Sequence, residues 1–341
     1  MPADTREFTE KIAPDHLAPL WNVMHSLVRP EPGTGTRPWK WDYAAVRSHL
    51  MEAGELISAM EAERRVLIYE NPGLPGQSRI TNSLYAGLQL VMPGEIAPAH
   101  RHTQSALRFV IEGSGAHTTV NGEKTIMRPG DFVITPHWAW HDHGNDSDEP
   151  MIWLDGLDIP LLQFLDASFA ERMTADAQSE TVPSGLTDAQ FSNGLLPVDH
   201  RTTAVTSPVF NYPYSRTRES LYTLSRQSDP DNCHGYKLRY TNPVNGDYAM
   251  PTIATFMQSM PTGFASHAYR STDATVYVVV EGHGKTRIGD ETIEWQPKDI
   301  FVVPSWFPVS HNIDEEAVLF SFSDRVVQEK LGLWKESREE P

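Results

Sequence analysis

Cysteine is almost absent: Cys233 stands alone in 341 residues, which excludes an internal disulfide and suits a reducing compartment such as the cytosol. Positive charge is also short. Against 45 Asp and Glu there are only 28 Lys and Arg, a net charge of −17, which argues against nucleic acid and anionic membranes as partners. No apolar run approaches the roughly 20 residues of a membrane span, and the opening Met1-Pro-Ala-Asp-Thr-Arg-Glu7 lacks the apolar core of a signal peptide. The expectation is a cytoplasmic chain long enough for two domains.

Periodicity divides the chain. Residues 1–62 read as helical, with apolar residues three and four apart over Leu17–Leu27 and Tyr43–Met60 and a Pro- and Gly-rich break over Arg29–Pro38. From Arg64 the pattern turns to short strands with Gly and Pro turns, as in Arg65-Val-Leu-Ile-Tyr69 and Ser83–Met92, continuing to about Asp158. Residues 172–233 are rich in Ser, Thr, Asp and Pro and read as a linker. A second strand-rich block runs from about His234 to Asp324, and Glu329–Glu339 reads as a charged, solvated helix. The expected domains are therefore 1–62, 63–171, 172–233 and 234–341.

Within the first block the chemistry is concentrated in Pro98-Ala-His100-Arg-His102-Thr-Gln-Ser-Ala-Leu-Arg108 and Pro136-His137-Trp-Ala-Trp-His141-Asp-His143. On a strand, residues two apart share a face, so His100 and His102 project together. A third imidazole would complete a transition-metal site with open coordination positions, since no fourth protein ligand is evident.

The chain also repeats itself. Met92-Pro-Gly-Glu-Ile-Ala-Pro-Ala-His100 and Phe109-Val-Ile-Glu-Gly-Ser-Gly115 return as Met260-Pro-Thr-Gly-Phe-Ala-Ser-His267 and Val278-Val-Val-Glu-Gly-His-Gly284. Aligning Glu112 with Glu281 and Trp138 with Trp306 places Tyr269 opposite His100, Ser271 opposite His102 and Val309 opposite His141. Only His311 remains, opposite His143. The second copy keeps the fold and lacks the metal ligands. His137, paired with Ser305 at a strand corner, reads as structural.

The order Gly, His-x-His, Gly-Asp, Pro, His resembles the two motifs of the cupin β-barrel. That resemblance implies a mainly β bicupin: a helical N-terminal segment, a metal-binding cupin over 63–171, a linker over 172–233 and a degenerate, metal-free cupin with a tail over 234–341. Cupins usually carry a glutamate ligand three or four residues beyond the His pair, and here those positions hold Ala106 and Leu107. Three neutral imidazoles leave a divalent ion with a charge near +2, which favours a substrate that brings a carboxylate and a neighbouring phenolate.

His100-Arg-His-Thr-Gln-Ser-Ala-Leu-Arg108-Phe resembles the signature of the gentisate 1,2-dioxygenase family, which includes salicylate and 1-hydroxy-2-naphthoate dioxygenases. The likeness covers essentially the whole chain. It implies a homotetramer that uses Fe(II) and O2 to open gentisate between C1 and C2, giving maleylpyruvate. It implies His100, His102 and His141 as iron ligands, Arg108 and His143 as groups holding the substrate carboxylate and hydroxyl, and Arg64, Gln89 and Asp155 as polar pocket residues. Tyr85 and Gly87 would shape the pocket, and His143 or Asp155 would handle a proton.

Read alone, Arg108 lies eight residues beyond His100, on the ligands' face if the strand runs unbroken. Arg64 and Arg65 are adjacent and face opposite ways, so only one can enter the pocket. Asp155 could equally be a barrel-end partner for an arginine. The ring substituent at position 5 stays open: salicylate, its amino-, nitro- and chloro-derivatives and 1-hydroxy-2-naphthoate are alternatives to gentisate. Readings from other classes are a storage or small-molecule-binding bicupin and a metal-dependent isomerase or decarboxylase.

Overall fold

A computed structural model describes residues 3–201 and 204–338. Residues 1–2, 202–203 and 339–341, at the ends of the expected N-terminal segment and tail and inside the expected linker, lie outside the described residues. The chain forms two compact units, Met1–Gly33 and Thr34–Pro341. The first contains the helices Ala3–Ile12 and Leu20–Leu27, with the Phe8 and Trp21 rings stacked at 6.2 Å.

In the second unit the 63–171 stretch, joined by Arg172 and Asn211–Tyr212 of the expected linker, folds as two antiparallel sheets. One runs in the order Asn211–Tyr212, Phe132–Thr135, Ala106–Glu112, Met151–Leu157, Tyr85–Val91, Val66–Ile68. The other runs Ala170–Arg172, Ile96–His102, His141–Asn145, Ala116–Val120, Glu123–Ile126. The later block forms a single nine-stranded sheet. Its long strands Thr275–Ile288 and Val309–Ser323 shift register three times where they pair, which carries one ladder round the fold. The result is a pair of jelly-roll-like cupins rather than closed barrels.

Strand alternation explains the continuous hydrophobicity of the central strands, which are buried on both faces. Leu88, Leu90, Leu107, Phe109, Ile152 and Leu154 lie in one core with Val276, Phe320 and Phe322 of the second copy, and Phe109 stacks on Phe320 at 4.2 Å. The alternate positions Tyr85, Gly87, Gln89, Arg108, Trp153 and Asp155 therefore turn the other way, into the first jelly roll. Truncating Phe109 to Ala would cost roughly 3–5 kcal/mol and loosen the sheet that carries these groups.

The duplication is visible in the backbone. Gly113 and Gly282 both adopt φ near +80°, and a Cβ there would lie 2.4 Å and 2.1 Å from the Pro150 and Glu316 carbonyl oxygens, so glycine is required at both turns. Arg101 lies over Trp138 at 4.5 Å, as Arg270 lies over Trp306 at 4.8 Å. Both tryptophans have positive φ.

Two expectations need correction. The N-terminal segment is not wholly helical: Trp39–Trp41 forms a strand on the second copy's sheet beside Ile300–Val303, where its two tryptophans suit a pleated edge. The tail is helical only over Arg325–Lys330. Glu336–Arg338 is a strand on Tyr269–Ser271, just as Ala170–Arg172 pairs with His100–His102 in the first copy.

Candidate metal centre and active site

His100 and His102 stand two apart on Ile96–His102, and His141 pairs directly with His100 across the ladder. One ring nitrogen from each lies within 4.8 Å of the others, and the ring centroids are 4.2–5.2 Å apart. Nδ1 of His102 faces the Gln104 carbonyl at 2.9 Å, Nδ1 of His141 the Ala139 carbonyl at 3.0 Å, and Nδ1 of His100 the Pro98 carbonyl at 3.3 Å. A carbonyl only accepts, so Nδ1 of His102 and of His141 carries the proton and their Nε2 atoms keep the lone pair, whereas Nδ1 of His100 stands between the accepting Pro98 carbonyl and the donating Arg64 guanidinium. Nε2 of His141 is buried with no hydrogen-bond partner. Burial, followed by neighbouring positive groups, holds His141 far below the usual histidine range and His100 down to about 2. Burial also lowers His102 to about 4. Three neutral imidazoles with convergent ring nitrogens fit a divalent transition metal.

His143 lies on the same face of the same strand, its ring 5.8 Å from that of His141, but it is not one of the converging three. Its Nδ1 meets the Thr118 hydroxyl, and its Nε2 is buried without a partner.

Arg108 requires a correction. The strand does not continue from His100 to Arg108: Thr103–Ser105 turn the chain, held by Thr103 Oγ1 donating to the Ala167 carbonyl at 2.7 Å and by the Ser105 amide donating to Asp158 at 3.1 Å. Arg108 therefore reaches the pocket from the other sheet. It is buried, donates through Nη1 to the Thr135 hydroxyl, and places Nε 3.6 Å from Asp155 Oδ1 with no hydrogen bond of its own. Asp155 pairs with both Arg108 and Gly87 across the ladder and accepts from Trp153 Nε1 at 2.9 Å. Burial raises its carboxyl to about 6 despite Arg108.

The two adjacent arginines part company as expected for neighbours. Arg65 is locked to Glu95 at 2.5 Å and to the Ile57 carbonyl at 2.9 Å. Arg64 donates to the Pro98 carbonyl at 2.7 Å and lies against the His100 ring, which puts it on the histidine side. Gln89 shares its strand face with Gly87 and Tyr85, and its Nε2 is a further buried, unpartnered donor. A Cβ on Gly87 would stand 2.5 Å from Val66 Cγ1 and 2.7 Å from the Tyr85 hydroxyl, so the missing side chain makes room for both.

Sequence reasoning did not single out Thr118, Thr135 or Val66. Thr118 stands opposite His143, and Thr135 lies two residues beyond Val133, which stands opposite Arg108, so strand alternation was the available signal for the two threonines. Val66 becomes visible only through its pairing beside Gly87. A wider cleft of about 300 Å³, lined by Phe191, Tyr212, Arg216 and Tyr240 among others, lies away from the histidines and contains no metal-ligating group.

In the second copy Tyr269 pairs with Val309 where His100 pairs with His141. Among the described residues no second cluster of three ligating groups occurs, nor a helix long and apolar enough to cross a membrane.

The cupin-domain family model matches residues 87–157. Over 335 residues, 98% of this chain and 96% of the relative, the sequence is 56% identical to gentisate 1,2-dioxygenase 1 of Aquipseudomonas alcaligenes. It is 35% identical to 5-aminosalicylate 1,2-dioxygenase of a Comamonas species, across 96% of this chain and 88% of that one. The crystal structure of salicylate 1,2-dioxygenase from Pseudoaminobacter salicylatoxidans with gentisate superposes with a TM-score of 0.94 at 32% identity, covering 99% of this chain and 95% of that chain. Likeness of this extent, on a fold that converges three histidines, shows that the chain belongs to the gentisate 1,2-dioxygenase family of two-cupin ring-cleaving dioxygenases.

Proposed function

We propose that this protein is an Fe(II)-dependent gentisate 1,2-dioxygenase, adding both atoms of O2 across the C1–C2 bond of gentisate to give maleylpyruvate. The observation that carries this reading is three convergent, neutral imidazoles on one sheet and, on the facing sheet, a buried arginine whose Nε makes no hydrogen bond. Bound at His100, His102 and His141, ferrous ion would supply a Lewis acid with positions open to the substrate's carboxylate, its adjacent hydroxyl and O2, and a route for ring electrons to O2.

The chain's own groups do the rest. Arg108 offers its guanidinium to the substrate carboxylate, a charge-assisted contact worth about 1.5–3 kcal/mol. Arg64 adds a second positive charge beside His100, and the pair offsets a net charge of −17 that would repel an anion. His143 presents Nε2 as an acceptor for the hydroxyl proton, and Asp155 orients Arg108. Gln89 supplies an amide donor, while Tyr85 and Gly87 bound the ring. A storage role would leave these buried, unpartnered polar atoms without a purpose, at a desolvation cost of about 1–3 kcal/mol each.

Anaerobic loading with Fe(II) followed by O2 uptake tests the reading. Gentisate should give the highest kcat/KM in a panel with salicylate, 5-amino-, 5-nitro- and 5-chlorosalicylate and 1-hydroxy-2-naphthoate. A higher value for another compound would move the substrate assignment, and no uptake with any of them would overturn it.

The reading includes a cytoplasmic homotetramer. Exposed apolar side chains such as Trp21, Phe164 and Val198 support subunit contacts, and the free, buried Cys233 supports a reducing compartment. A monomer in sedimentation at micromolar concentration would contradict the assembly.

A further inference from the structure

Behind each metal-facing imidazole lies a peptide group. The Gln104 carbonyl that faces His102 Nδ1 belongs to the Gln104–Ser105 peptide, whose N–H donates to Asp158 Oδ1 at 3.1 Å. Behind His100, the amide joined to the Pro98 carbonyl is that of Ala99, which donates to the Asp176 carbonyl at 2.8 Å. Behind His141, the amide joined to the Ala139 carbonyl is that of Trp140, which donates to Asn121 Oδ1 at 3.0 Å. Of these three routes, only that of His102 ends on a carboxylate.

Asp158 is placed for this contact at the expense of a more usual one. It stands at the N-terminus of the helix Ile159–Phe164, where an aspartate ordinarily accepts from the helix's own first amides. Its side chain makes no such cap. It is buried, and its second oxygen accepts from the hydroxyl of Thr252, a residue of the second copy. Each carboxylate oxygen has a donor, so the ionised form is satisfied without a proton. The second copy keeps this device and lacks its end. Asp324, at the N-terminus of Arg325–Lys330, also makes no side-chain cap. It accepts from the Ala274 amide at 3.1 Å, from the Ser83 hydroxyl of the first copy at 2.9 Å and from Gln328 Nε2 at 3.2 Å. Each copy's aspartate is thus held by a hydroxyl of the other, but Ser271 stands where His102 does.

We infer that Asp158 is a positioning residue for the metal centre, acting on His102 through the Gln104–Ser105 peptide and itself held by Thr252 of the second copy. A carboxylate that accepts from an amide polarises the peptide and makes its carbonyl the stronger acceptor. A stronger acceptor on Nδ1–H fixes the His102 ring and raises the basicity of Nε2. A carboxylate bonded directly to a metal-bound histidine does the same. The second cupin, without ligands of its own, thereby tunes a ligand of the first. The inference rests on the reading that ferrous ion binds His100, His102 and His141.

Iron affinity without substrate is the readout. The metal-free full chain is titrated anaerobically with Fe(II) against a competing chelator, and its melting is followed in parallel. Asp158→Asn keeps an oxygen for the Ser105 amide and removes the charge. The Fe(II) dissociation constant should rise about tenfold, the low end for partners of a metal ligand because a peptide intervenes. Asp324→Asn makes the same change in the copy without ligands. It should leave the constant at the wild-type value, whatever either substitution does to the melting temperature. Equal affinity in Asp158→Asn and wild type overturns the inference. An equal loss in Asp324→Asn overturns it too, since both aspartates would then serve the fold alone. A wild-type chain that binds no Fe(II) would instead contradict the metal centre itself. Should Asp158→Asn fail to fold, Thr252→Val decides. It leaves a buried carboxylate oxygen without its donor and disfavours the ionised form, so affinity should fall in the same direction by a smaller factor. Thr252→Ser should restore it, and an unchanged constant in Thr252→Val would overturn the relay.

Discussion

Thr118 stands directly across the ladder from His143, and its hydroxyl meets Nδ1 of that ring. The threonine proton goes to the Asp142 carbonyl at 3.2 Å, so Thr118 accepts from Nδ1–H and leaves the Nε2 lone pair facing the pocket. The second copy repeats the pair with a difference. There Thr286 meets His311 Nδ1 at 2.8 Å but also accepts from Trp295 Nε1 at 2.8 Å, which frees its proton for the imidazole and reverses the tautomer.

Thr118→Val should therefore keep iron content and lower kcat/KM for gentisate about tenfold, the worth of one buried hydrogen bond. Thr118→Ser should restore it. Paired metal analysis and steady-state kinetics check this, and unchanged kinetics in the valine variant would remove Thr118 from the site.

Arg108→Ala should retain iron while kcat/KM falls roughly ten- to over a hundredfold, for a lost contact of about 1.5–3 kcal/mol. Because Asp155 is buried beside Arg108, the alanine variant should also melt at a lower temperature. Arg108→Lys should not restore full activity, since an ammonium cannot reproduce a planar, two-pronged contact. Reduced stability with wild-type kinetics would make Arg108 an ion-pair residue only.

Asp155 sets a pH dependence. Its carboxyl is raised to about 6 in the folded chain, against about 3.9 when unfolded, so the folded state holds this proton more tightly. The stabilisation is present at acid pH and is lost as pH rises from about 4 through about 6. Ionised Asp155 orients Arg108, so kcat/KM should fall as pH drops below about 6. Asp155→Asn should flatten both trends, and an acid limb that survives in Asp155→Asn belongs to another group.

Gly87→Ala places a methyl against Val66 and the Tyr85 hydroxyl. Overpacking of this kind costs about 1–3 kcal/mol, and the strain falls on the pocket wall. Gentisate turnover should drop with iron retained, and Val66→Ala in the same chain should recover part of it. Equal kinetics for Gly87→Ala and wild type would show that Tyr85 and Val66 do not bound the ring.

The metal centre was legible because strand alternation is rigid: His100-x-His102 must share a face, and the repeat identifies Val309 as the vestige of His141. Arg108 was placed in the pocket for a partly mistaken reason. Counting along one strand missed the turn at Thr103–Ser105, and the arginine arrives from the facing sheet. Trp39–Trp41 and Glu336–Arg338 were hidden because three-residue edge strands have too few alternations to register and are fixed by the partners they find. Thr118 needed the ladder itself, since its significance lies in what stands across from it.

The most direct test is an anaerobic titration of the metal-free chain with Fe(II), reading O2 uptake with gentisate at each addition. Uptake should rise linearly and break at about one equivalent per chain, since only the first copy offers three imidazoles. A break at two equivalents would give the second copy a metal after all, and uptake independent of added iron would contradict a ferrous centre at His100, His102 and His141.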